Sequence, residues 1–128
     1  AILSNLGIDL AGARIADGSG LSRHNAISPR QLGQVLIACA DNPDYVYSFA
    51  RVGVDGTVRN MMRNVPGCEC FVLKSGSMTG VICYVGYLLD RQSRKPTHAI
   101  AIMINNAPDT KAARAAISNF LSSLISEI

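Results

Sequence analysis

Lys74-Ser75-Gly76-Ser77 sets an ammonium group, two hydroxyls and a residue without a side chain at consecutive positions of the otherwise apolar run FVLKSGSMTGVICYVGYLLD. A strand that only needed burial would carry Val or Ile at position 74. Lysine on an edge strand often guards against aggregation, yet glycine within a strand also marks close approach of a ligand or a second backbone. Together these residues can offer a cation, a hydroxyl and an unobstructed row of N–H donors to an anionic, peptide-like substrate. The block DGSGLSRHN invites a different chemistry, with Ser19 or Ser22 as nucleophile and His24 as base, two to five residues apart. A serine and a histidine so close in one loop seldom align for proton transfer, since such a pair is defined by geometry. The block reads better as structure. Asp17 and the hydroxyls of Ser19 and Ser22 would satisfy backbone groups in a tight turn, Gly18 and Gly20 would supply unusual dihedrals, and Arg23 would anchor the loop.

The four cysteines, Cys39, Cys68, Cys70 and Cys83, make no metal motif. Cys68-Glu69-Cys70 is too tight for an easy disulfide and has neither a second pair nor a nearby histidine to complete a zinc site. Cys39 and Cys83 read as small buried hydrophobes in a helix and a strand. His24 and His98 read as surface or strand-end residues, and no cofactor is expected. Composition is that of a folded, aliphatic-cored chain, with 48% apolar, 16% charged and 5% aromatic residues among 128,. The net charge of +3 comes from bases scattered singly. Without a basic stripe and interleaved aromatics, nucleic acid is not an expected partner. No segment reaches the roughly 18 apolar residues that cross a bilayer. The first residue, Ala1, sits inside a continuing pattern, which reads as a processed product or an excised piece.

The elements that must position these residues are legible in outline. Residues 1 to 27 are glycine-rich turns. Ser28-Pro29-Arg30-Gln31 gives an N-cap, a proline at the first helical position and a glutamine three residues after the cap,. Leu32, Val35, Leu36, Cys39 and Ala40 then present one apolar face up to Asn42-Pro43,. The stretch from Tyr45 to Gly67 reads as loop with one or two helical turns in TVRNMMRN. Strands are predicted at about 70 to 76, 80 to 89 and 98 to 105. From Pro108-Asp109 a last helix carries Ala113, Ala116, Ile117, Phe120, Leu121, Leu124, Ile125 and Ile128 on one face,. Consecutive strands with short links, flanked by helices, predict one α+β domain over residues 1–128 with an antiparallel sheet and no internal boundary.

Four blocks, ADGSGLSRHNAISPRQLGQVL, GVDGTVRN, LKSGSMTGVICYVGYLLD and INN, resemble in order and spacing the C-terminal half of the transpeptidase-like domain of the class C low-molecular-mass penicillin-binding proteins, a D-alanyl-D-alanine carboxypeptidase/endopeptidase family. The resemblance covers nearly the whole chain. It implies the penicillin-recognising fold, of which only the C-terminal part is present. It also implies serine acyl transfer on peptidoglycan stem peptides ending in D-Ala-D-Ala, acylation by β-lactams, and a periplasmic or cell-envelope location. Carried over residue by residue, Lys74 is the lysine of the family's Lys-Thr-Gly strand, Ser75 replaces the threonine while keeping its hydroxyl, and Gly76 is the glycine. The backbone N–H of Ser77 is implied as one of two oxyanion-hole donors.

The family's Ser-x-x-Lys, which holds the nucleophile and its base, and its Ser-x-Asn occur nowhere in the chain,. The simplest expectation is a piece of a longer enzyme that supplies the substrate-binding strand but not the nucleophile. The alternative is a non-catalytic module that binds peptidoglycan peptides through the Lys74 strand. A lone fragment would also expose a sheet edge, open to association or domain swapping.

Overall fold

The structure, a computed structural model, describes residues 2–128. Helix α1 (Ile2–Asn5) is a single turn, and loops lead from it to helix α2 (Pro29–Ala38). α2 begins where the sequence predicts. Ser28 Oγ accepts from Gln31 N at 3.1 Å and Gln31 Oε1 accepts from Ser28 N at 3.0 Å, so two otherwise orphaned donors are satisfied reciprocally,. The helix ends earlier than expected because Asn42 caps a separate turn, α3 (Pro43–Val46), by accepting from Tyr45 N at 3.2 Å,.

Strands β1 (Ala50–Arg51), β2 (Phe71–Met78), β3 (Val81–Leu89) and β4 (Pro96–Ile104) form one sheet in sequence order, and every pair is antiparallel. The three long strands lie where they were predicted, with ends displaced by at most two residues. The two-residue β1 carries no signal of its own in the sequence. The helical turns expected in TVRNMMRN reduce to a 3-10 turn at Gly56–Val58, with a second at Cys68–Cys70. Helix α4 (Thr110–Leu124) starts at Asp109, whose Oδ1 accepts from Ala112 N at 3.0 Å.

Side chains alternate across the sheet, so β2 and β3 each feed two cores,. Phe71, Leu73, Ile82, Leu88 and Ile100 pack with Ile117 and Leu121 of α4. Val72, Tyr87 and Leu89 pack on the other face with Leu36 of α2 and Val46 of α3. Tyr87 also ties α2 to the sheet by donating its hydroxyl to the Leu36 carbonyl at 2.5 Å. Burial pushes that hydroxyl's pKa upward, so it remains a donor,.

Two expectations about packing need correction. Phe120 is 53% exposed and Ala116 is exposed as well. Phe120 sits roughly 60° round the helix from Ile117, on the side that meets solvent, so the buried stripe narrows to Ile117 and Leu121 with Ala113, Leu124, Ile125 and Ile128 at its margin. The buried cysteines are Cys68 and Cys70, whereas Cys39 and Cys83 are only half-buried. The Cys68–Cys70 turn is tucked under the sheet, with the Cys68 thiol directed at the Val52 carbonyl, and burial raises its pKa. Cys83 stays partly open because its partner across the ladder is Gly76.

Gly86 holds β2 and β3 together at close range. A Cβ there would collide with the Val72 carbonyl oxygen and lie 3.0 Å from Leu73 Cα. Only a residue without a side chain lets the two backbones approach this closely.

Candidate active-site strand

The first three residues of β2, Phe71, Val72 and Leu73, are buried, whereas Lys74, Gly76 and Ser77 are exposed and Ser75 is half-buried. The change coincides with the end of β1, which pairs only Ala50 with Leu73 and Arg51 with Val72. Beyond Leu73 the outer side of β2 has no strand against it among the described residues. Val52 N donates to the Phe71 carbonyl at 3.0 Å. In an antiparallel ladder, alternate residues turn their backbone groups the same way, so Ser75 and Ser77 present N–H and C=O to the open edge while Lys74 and Gly76 bond to β3. The Lys74 ammonium lies at this edge, donating to the Ser75 carbonyl at 2.6 Å.

Glycine at 76 is not demanded by the chain's own packing. A Cβ there would find only the Cys83 Cβ at 3.7 Å, an ordinary contact. The space beside Gly76 is open, as a site that admits a ligand's backbone needs to be.

A cleft of about 320 Å³ opens beside Lys74, lined by Ser48, Phe49, Ala50, Gly56, Thr57 and Leu73. Its far wall is the turn between β1 and the 3-10 segment. Arg51 Nε donates to Asp55 Oδ2 at 2.7 Å and Asp55 N donates to the Arg51 carbonyl at 2.9 Å. The Arg51 hydrogen bond holds the Asp55 carboxyl below the usual aspartate range. Gly53 N closes the turn on the Val58 carbonyl at 3.0 Å, and Val58 plugs into the core. This brace brings Thr57 Oγ1 within 2.6 Å of Ser75 Oγ. The sequence block GVDGTVRN carries Thr57, but nothing in its spacing shows that it meets Ser75. A larger groove, of about 380 Å³, lies between α3 and the β3–β4 hairpin beside Asp41, Tyr47 and Lys95. It includes none of the candidate site residues Lys74, Ser75, Gly76 and Ser77.

The glycine-rich loop is structural. Arg14 and Ala26 close it by exchanging two backbone hydrogen bonds of 2.7 Å. Asp17 Oδ1 accepts from Gly20 N and from Asn25 Nδ2, and Oδ2 accepts from Ser22 N. Asn25 Oδ1 in turn accepts from Ala16 N and Asp17 N. The Asn25 side chain, ahead of the backbone donors, lowers the Asp17 pKa. Ser19 Oγ accepts from Leu21 N and Ser22 Oγ from His24 N, so neither hydroxyl meets the His24 ring. The serine–histidine nucleophile is thereby set aside. Two details differ from expectation: the anchor is Asn25, since the exposed Arg23 enters none of the loop's hydrogen bonds, and only Gly20 has a positive φ, not Gly18. Gln31 fastens the preceding segment to α2 through the Asp9 and Ala11 carbonyls. No hydrogen bond of this loop reaches β2 among the described residues.

An antiparallel sheet with helices on both faces agrees with the penicillin-recognising fold that the sequence resemblance implies. The comparisons narrow it: residues 1–124 match the D-Ala-D-Ala carboxypeptidase 3 (S13) family, and the chain belongs to that family. It is 35% identical over 99 residues to the D-alanyl-D-alanine carboxypeptidase DacB of Haemophilus influenzae, covering 73% of this chain and 21% of the relative. It is 32% identical to the penicillin-sensitive carboxypeptidase A of Dictyostelium discoideum, covering 72% of this chain and 19% of that protein. The crystal structure of penicillin binding protein 4 (dacB) from Haemophilus influenzae superposes with a TM-score of 0.77 at 32% identity, over 98% of this chain and 29% of that one. The chain therefore spans about a fifth of the length of these curated relatives.

Proposed function

We propose that this chain forms one wall of the active site of a serine-type D-alanyl-D-alanine carboxypeptidase that acts on peptidoglycan stem peptides and is acylated by penicillins. The observation that carries the reading is the unpaired outer edge of β2 from Lys74 onward, on a chain of this family. A peptide ending in D-Ala-D-Ala lies along that edge as an added strand, its backbone meeting the groups of Ser75 and Ser77. The Lys74 ammonium and the Ser75 hydroxyl bind the terminal carboxylate. When the serine of a Ser-x-x-Lys motif attacks the carbonyl between the two alanines, negative charge develops on its oxygen, and the Ser77 N–H is one of the donors aimed at it. Neither Ser-x-x-Lys nor Ser-x-Asn lies in these 128 residues, so the nucleophile and its base come from another part of the full-length protein. A periplasmic or cell-envelope location follows from the substrate.

The test is labelling with a fluorescent penicillin followed by intact-mass measurement. The full-length gene product gains one acyl group, and the 128-residue chain alone gains none. An adduct on the isolated chain would overturn the division of labour between strand and nucleophile. A full-length product that binds D-Ala-D-Ala peptides without any adduct would instead identify a non-catalytic recognition module.

A further inference from the structure

We infer that Thr57 is a positioning residue for substrate recognition, acting through Ser75. The inference rests on the reading of the Lys-Ser-Gly strand given above. A serine hydroxyl has a single proton and three staggered rotamers. To hold a carboxylate it must spend that proton on the anion, and any second neighbour must then donate to its lone pair. Thr57 Oγ1 is placed to do so, 2.6 Å from Ser75 Oγ. With Thr57 donating, the Ser75 proton is free for the cleft, and the chain of two hydroxyls polarises it further.

The contact is held by the fold, since 18 residues separate the two side chains. Thr57 stands on a turn fixed by the Arg51–Asp55 ion pair, by the bond from Gly53 N to the Val58 carbonyl and by the buried Val58. It shares the cleft with Lys74. A surface threonine with no further task would have no need of such bracing, and the half-buried Ser75 has no other side-chain partner among the described residues.

The experiment uses the full-length gene product and four variants: Thr57→Val, Thr57→Ser, Ser75→Ala, and the double variant Thr57→Val with Ser75→Ala. Thr57→Val keeps the shape and loses the hydroxyl. It should slow penicillin acylation at limiting concentration about tenfold, the scale of one hydrogen bond to a charged group. The effect should fall on KM for a D-Ala-D-Ala peptide, with kcat within about twofold. Thr57→Ser should restore the parent values, and Thr57→Val should add nothing in the Ser75→Ala background. Melting temperatures, measured alongside, should stay within a few degrees of the parent. If Ser75→Ala acylates at the parental rate, the strand reading itself fails. If Ser75→Ala is slow while Thr57→Val acylates normally, or if the two losses simply add, the strand reading stands and the role of Thr57 is overturned.

Discussion

The two halves of β2 are built from one continuous strand and treated in opposite ways. Phe71–Leu73 is buried on both faces, bonded to β1 on one side and β3 on the other, and crossed at close range by Gly86. Lys74–Met78 keeps the same register with β3, Lys74 opposite Val85 through Met78 opposite Val81, but has no strand against its outer edge among the described residues. Register is thus fixed in the buried half and inherited by the half proposed to bind a ligand. The binding edge proposed above needs its donors at set spacing, and packing several residues away would secure that spacing.

The two glycines of the ladder offer the largest test of this contrast. Gly86→Ala drives a methyl into the Val72 carbonyl, with backbone rather than a flexible side chain in the way. The expected loss is more than about 4 kcal/mol, in the exceptional range for one substitution. Thermal unfolding should show a collapsed or uncooperative transition. Gly76→Ala meets only ordinary contact and should leave stability within about 1 kcal/mol of the parent. Comparable destabilisation by both would erase the distinction between the halves.

Lys74→Ala in the full-length protein separates function from stability. Removing one preorganised electrostatic contact typically costs about 3 kcal/mol, or roughly a hundredfold in rate. Penicillin acylation and D-Ala release should therefore fall together, while the melting temperature hardly moves. An unchanged acylation rate with reduced solubility would leave Lys74 as an edge-strand guard only.

The smallest effect expected is acid loosening of the loop around Asp17, a region with no part in the β2 ladder. Its pKa is depressed, so its ionised form stabilises the loop above the ordinary value of 3.8, and that contribution is lost as pH falls through the lower folded value,. The amide resonances of Gly20 and Ser22 should titrate with a midpoint below 3.8, while β2 amides stay fixed. A midpoint at or above that value would show that the hydrogen bonds from Asn25 and the backbone do not favour the carboxylate.

What the sequence revealed depended on how local the cause was. The capping box at Ser28 and Gln31 lies within four residues, and the β2–β3–β4 hairpins follow from β-branched runs separated by short links, so both were readable. β1 was not, because two residues carry no period and become a strand only by pairing with Val72 and Leu73. Phe120 looked like core because its spacing was helical, but spacing sets a face and not what covers it. At the candidate site, Lys74, Ser75, Gly76 and Ser77 were singled out from their own types and order. The partnership of Thr57 with Ser75, like that of Asn25 with Asp17, depends on how loops close in space.

The meander of β2, β3 and β4 also bears on how quickly the molecule assembles. Its rungs link residues close in sequence, from Met78 with Val81 outward to Phe71 with Leu88. Closing loops this short costs little chain entropy, and each rung zipped brings the next within reach. Topologies dominated by such neighbouring contacts sit toward the fast end of observed folding rates for sheet proteins. The hairpin that carries Lys74 can therefore nucleate early, before residues distant along the polypeptide are recruited. Gly86, opposite Leu73 and away from the turn, would then act during folding as well as afterwards, since its close approach to Val72 and Leu73 tests the register as the later rungs zip.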